Sequence, residues 1–136
     1  MKKFMSFLLT FMVLSSFCIN VFATEIVPFA NNTNTTNVNF SISDSGLATA
    51  SYSYRGITNV FKSATIETKI QKKFGLIWIT VSDGSWTDTT TATNYSRSHS
   101  VQLSSTGTYR AHVEFTISGT GGSDDEITKN VERTYT

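Results

Sequence analysis

Hydrophobic residues recur at every second position over most of this chain. In residues 108–118, Tyr109, Ala111, Val113, Phe115 and Ile117 alternate with Arg110, His112, Glu114 and Thr116. Successive side chains of a strand point to opposite faces, so the pattern describes a strand buried on one side and wet on the other. Val38, Phe40 and Ile42 repeat it, as do Ala48, Ala50, Tyr52 and Tyr54, and then Ile66, Thr68 and Ile70. Val101 and Leu103 follow, and at the end Ile127, Val131 and Tyr135 share a face with Lys129 and Arg133. Residues 76–82 differ, because Ile77, Ile79 and Val81 oppose Leu76, Trp78 and Thr80. Both faces are apolar there, which predicts a strand covered on both sides at one end. Past the first residues, no window of about 11 follows a helical period.

Turn-forming clusters separate these runs: Asp44-Ser45-Gly46, Asp83-Gly84-Ser85 and the glycine-rich 119–125. Residues 87–94 are threonine-rich, five of the eight, and read as a polar linker. About seven short strands with turns between them predict an all-β fold, an antiparallel β-sandwich.

The first residues obey another rule. Met1-Lys2-Lys3 precedes an apolar run from Phe4 to Ile19, and Val21-Phe22-Ala23 offers small residues where a signal peptidase reads them. That is the pattern of a secretory signal peptide, too short to span a bilayer comfortably. The expected division is a signal peptide at 1–23, a flexible polar leader at 24–36 and one β-domain at 37–136. Cys18 is the only cysteine and would leave with the signal peptide, because bulky Phe17 before it does not suit lipidation. The domain would then be held by its core alone, without a disulfide. Loss of Lys2 and Lys3 takes the formal charge from +1 to −1. A near-neutral chain gives no electrostatic case for nucleic acid or an anionic membrane, and no stable membrane insertion is expected. Two Asn-x-Thr matches, at Asn31 and Asn34, are read as chance in an Asn/Thr-rich stretch.

Leu103-Ser104-Ser105-Thr106-Gly107-Thr108-Tyr109-Arg110-Ala111 resembles the approach to the sixth strand of an immunoglobulin-like domain. The resemblance implies a structural corner at Gly107 and Tyr109, with the tyrosine hydroxyl bonding back to upstream backbone. It also implies that Ala111, facing a small residue such as Ala50, replaces the usual cysteine pair. The tryptophan of that family's third strand is absent, and Trp78 falls one strand later. The whole chain is similar to small secreted proteins of Gram-positive bacteria that form a family of unknown function. The shared features are the signal peptide, the Ile66-Glu67-Thr68-Lys69 strand, a tryptophan after a basic hairpin, and the Gly-Thr-Tyr-Arg corner. This resemblance implies a fold and an extracellular location, and no activity.

Chemistry is sparse. His99 and His112 are expected on neighbouring strands as exposed residues; no Gly-x-Ser-x-Gly elbow accompanies them. His112 and Glu114 share a strand face, but a third metal ligand is not evident. Asp124-Asp125-Glu126 lacks calcium-loop spacing and reads as a solvated hairpin tip. Lys69, Lys72 and Lys73 could meet anionic wall polymers, although protection of an edge strand is the preferred reading. No catalytic residue, cofactor or metal is expected. Trp86, Trp78 and Tyr95 are the candidate ligand contacts, since exposed rings bind the apolar faces of sugars; packing against the core is the competing reading. The expected function is a secreted, non-catalytic binding or surface-interaction module for an extracellular polysaccharide or protein. A secreted bacteriocin-like or toxin-like effector is the alternative.

Overall fold

The computed structural model describes residues 30–136, so the expected signal peptide and the start of the expected leader lie outside the described residues. Seven antiparallel strands follow: β1 (Thr33–Ile42), β2 (Leu47–Gly56), β3 (Phe61–Phe74), β4 (Ile77–Thr90), β5 (Asn94–Gln102), β6 (Gly107–Gly119) and β7 (Asp125–Tyr135). They form a three-stranded sheet, β1-β2-β5, and a four-stranded sheet, β4-β3-β6-β7. The alternating apolar rows of both sheets meet between them. Phe40, Ala48 and Ala50 of the first pack with Ile70, Tyr109 and Ala111 of the second. Farther along, Tyr52 and Tyr54 pack with Ile66, Val113, Phe115 and Ile117. The buried alanines leave room for the rings of Phe40 and Tyr109, so volume is matched across the layer.

Several local expectations are corrected. Asp83-Gly84-Ser85 is no turn but part of a bulge within β4: the register passes from Lys69↔Ser85 to Gln71↔Thr80, so residues 81–84 crowd opposite Ile70. Asp83 takes φ 59° there, and a Cβ on Gly84 would collide with Val81. The bulge lets β4 continue, so Thr87–Thr90 pair with Ala64–Glu67 rather than forming a linker. At the other end of the chain, β1 takes up Thr33–Thr36 of the expected leader, because they pair with β2.

β3 is hydrogen-bonded on both sides, to β4 and to β6. Lys69, Lys72 and Lys73 therefore do not protect an edge. The two histidines are not neighbours either: His99 lies in the three-stranded sheet and His112 in the four-stranded one.

The two ends of the body are built differently. At the end where β1 begins, Asp125 is buried and accepts the backbone N–H groups of Asn31 at 2.7 Å and Asn32 at 2.9 Å. This corrects the expectation of a solvated tip for Asp125 alone; Asp124 and Glu126 on either side of it are exposed. The buried Asn32 side chain donates to the carbonyls of Ile117 and Ser123 and accepts from the Gly121 N–H. A Cβ on Gly119 would collide with the Asn32 side chain and the Val60 carbonyl, which explains glycine at that site. At the opposite end, the β3–β4 hairpin is open to solvent.

Candidate functional site

The hairpin closes through Gly75-Leu76. Gly75 takes φ +59° while Leu76 does not turn positive, the type II′ arrangement that places glycine first. Leu76 is thereby held at the apex and is 98% exposed; Ile77 is 60%, Phe74 50% and Ile79 48% exposed. This corrects the expectation of a strand covered on both sides. Burying an apolar side chain of this size is worth roughly 1.5–3 kcal/mol, so four left in water at one place call for an explanation.

Phe74, Ile77 and Ile79 continue the core-facing row, since Phe74 pairs with Ile77 and Lys72 with Ile79. Phe74 and Ile79 face a groove of about 600 Å³ that Val101, Leu103 and Tyr109 also line. Lys72 crosses its rim: Nζ donates to Ser105 Oγ at 2.6 Å and sits 5.6 Å from the Tyr109 ring centre. The outer face of the hairpin carries Trp78, with the Arg110 guanidinium 4.4 Å and Lys73 Nζ 5.6 Å from its ring centre. Gln71 Oε1 accepts from Arg110 Nε at 2.7 Å and fixes the guanidinium over the ring.

A second cluster joins the facing sheets where β4 and β5 are their edges. Asp88, buried on β4, accepts Tyr52 Oη at 2.7 Å, meets His99 Nε2 at 2.5 Å, and pairs with Arg97 Nη1 at 3.0 Å. Burial pushes the Asp88 carboxyl up, but hydrogen bonds from His99 and Tyr52 and the charges of His99 and Arg97 outweigh it, and the net shift is downward. Burial, with the Asp88 bond, holds the Tyr52 hydroxyl well above the usual tyrosine range. Desolvation also pushes Tyr54 up to about 12, and its hydroxyl donates to the Ala92 carbonyl. His99 is therefore not an exposed histidine. Among the described residues no serine hydroxyl is hydrogen-bonded to it.

The three candidate ligand contacts do not form one platform. Trp78 pairs with Lys73 on the outer face, whereas Trp86 pairs with the buried Thr68 and points inward. Trp86 is half-buried and stacked on His99, with ring centres 4.8 Å apart and planes 8° from parallel. Tyr95 lies 6.3 Å from Tyr52 and 6.3 Å from Tyr54, and its hydroxyl accepts from Arg97. At the corner, Gly107 takes φ 140° and the Tyr109 hydroxyl donates to the Ser105 carbonyl at 2.5 Å. His112 Nδ1 meets Asn130 Oδ1 at 2.7 Å, and Nε2 is 3.5 Å from Glu114 Oε1. Among the described residues no group of three His, Cys, Asp or Glu side chains is placed to hold a metal ion.

No family model, curated protein or solved structure matches this chain. The residues that sequence reasoning missed are Asp88 and the apolar hairpin end. The signals were present: Asp88 is the one acid in a threonine run, and Phe74-Gly75-Leu76-Ile77-Trp78-Ile79 breaks the alternation seen elsewhere.

Proposed function

We propose that this chain is an exported, non-catalytic surface-interaction module whose contact surface is the β3–β4 hairpin end. The observation that carries the reading is the exposed apolar set at Phe74, Leu76, Ile77 and Ile79, continuous with the groove behind it. The other candidate residues are occupied in other ways. Trp86 and Tyr95 belong to the packed cross-sheet cluster, and Asp88–His99 holds two edges together. We also read the two-sheet body as immunoglobulin-like. The Tyr109–Ser105 bond and the buried Ala50 and Ala111 support this. The fourth strand departs from the constant-type arrangement, in which it extends the sheet of the first, second and fifth strands; here it lies beside β3.

Co-sedimentation of the exported protein with whole bacterial cells and with isolated wall polysaccharide tests the functional reading. Saturable pelleting that Leu76→Asp reduces at least tenfold is expected. Pelleting with neither target, or pelleting that this substitution leaves untouched, removes the hairpin end as the contact surface.

A further inference from the structure

We infer that the partner of the hairpin end is an anionic lipid surface, into which the apex docks without crossing it; this rests on the surface-interaction reading above. The inference begins with the order of side chains along the hairpin axis. Leu76 stands at the apex, Phe74 and Ile77 pair behind it, Lys73 and Trp78 come next, and then Lys72 and Ile79. At about 3.3 Å per residue, Lys73 and Trp78 lie roughly 7 Å behind the apex. A bilayer interface has the same order: hydrocarbon first, then the level preferred by tryptophan, then the phosphates that lysine meets. Apolar faces of interfacial elements enter by about 5–10 Å, which matches the depth from Leu76 to Trp78.

Charge agrees with the order. Lys72, Lys73 and Arg110 stand behind the apolar apex, on β3 and on the neighbouring β6. Asp83 stands farther back at the β4 bulge, Glu132 is level with Arg110 on β7, and no carboxylate is a cross-strand partner of Lys72 or Lys73. Because β3 is paired on both sides, edge protection does not account for these lysines. A protein partner fits less well. A stable interface takes about 800 Å² from each side, and a two-residue turn with its flanking pairs is narrow for that. A lipid surface makes no demand on shape.

Docking replaces water around Leu76, Ile77 and Phe74 with acyl chain and sets Lys73 among the headgroups. No bond is made or broken. Two expectations from the sequence are revised: the case for an anionic membrane rests on the local order of the apolar apex, Lys73 and Trp78 rather than on net charge, and docking at the tip replaces the expected lack of insertion. Among the described residues no helix is long and apolar enough to cross a membrane.

The test uses the exported protein with vesicles of phosphatidylcholine alone and of equal parts phosphatidylcholine and phosphatidylglycerol. The chain has two tryptophans, so Trp86→Phe leaves Trp78 as the reporter. Pelleting with the mixed vesicles, a blue shift of Trp78 emission and weakening by salt are expected. Leu76→Asp reduces partitioning at least tenfold, and Lys73→Gln reduces it about fivefold on the anionic vesicles only. An unchanged melting curve for both variants separates lost docking from lost folding. Failure to pellet with either vesicle overturns the lipid assignment. If cells or wall polysaccharide still pellet the protein through Leu76, the surface-module reading stands and only the lipid class fails. Concentration-dependent association abolished by Leu76→Asp, without vesicle binding, assigns the tip to a second copy and overturns the inference.

Discussion

The two ends of this two-sheet body solve the same problem in opposite ways. At one end, backbone N–H groups of Asn31 and Asn32 that would otherwise be orphaned are taken up by the buried Asp125, and every polar atom of the Asn32 side chain has a partner. At the other end, the apolar row of β3 and β4 runs past the core and stays in water. That end is closed by hydrogen bonds, with the buried Thr33 hydroxyl the one side-chain group there left without a partner among the described residues. An end that leaves Leu76 almost fully exposed is stable enough to exist but gains from a partner, and that asymmetry directs the functional reading to the hairpin.

Breaking the closed end gives the largest expected effect. Asp125→Ala removes the acceptor of two backbone donors, one of them buried, at a cost of about 3 kcal/mol. For a domain of this size the melting temperature falls by more than about 10 °C. Thermal unfolding followed by circular dichroism measures this, and a fall of only a degree or two means that the clamp is not what seals that end. Vesicle or cell binding, scaled to the folded fraction, does not change.

The seam between β4 and β5 comes second. The folded-state Asp88 carboxyl is held below its ordinary value, so the unfolded chain takes up its proton more readily than the fold does. The stability that Asp88 contributes is complete above the unfolded-chain value near 4 and drains away as pH falls through the lower folded value. Denaturant titrations between about pH 5 and pH 2 are expected to show this acid limb. Asp88→Asn keeps the shape, costs about 2 kcal/mol at neutral pH and flattens the limb. An acid limb of the same slope in the variant assigns the loss to other carboxylates.

The sequence made the strands legible wherever burial is one-sided, because alternation then has only one explanation. Residues 109–117 show this most clearly. It misled where two structures share one pattern. A continuous apolar run such as 76–79 suits a strand buried on both faces and equally an exposed hairpin tip, and only the end of the opposing sheet distinguishes them. Asp83-Gly84 carries turn chemistry that a bulge also uses, so β4 read as a strand, a turn and a linker. The clamp was invisible for another reason: Asn32 and Asp125 are 93 positions apart, and nothing local marks either as a partner of the other. Asp88 and His99, 11 apart in sequence, belong to strands of different sheets, a relation no periodicity carries.

The smallest expected effect on stability is at the hairpin, and it sharpens the comparison most. Leu76→Ser replaces an apolar side chain by a small polar one at a position 98% exposed. Little area returns to water on unfolding, and surface substitutions of this kind stay within about 0.5 kcal/mol. Gly75 still supplies the positive φ of the turn, so the hairpin geometry survives. The melting temperature therefore stays within about 3 °C of the parent, while binding to a hydrophobic-interaction column falls. A large loss of stability would show that Leu76 packs against something in the folded protein. The hairpin would then be part of the closed architecture, and the contrast between the two ends would disappear.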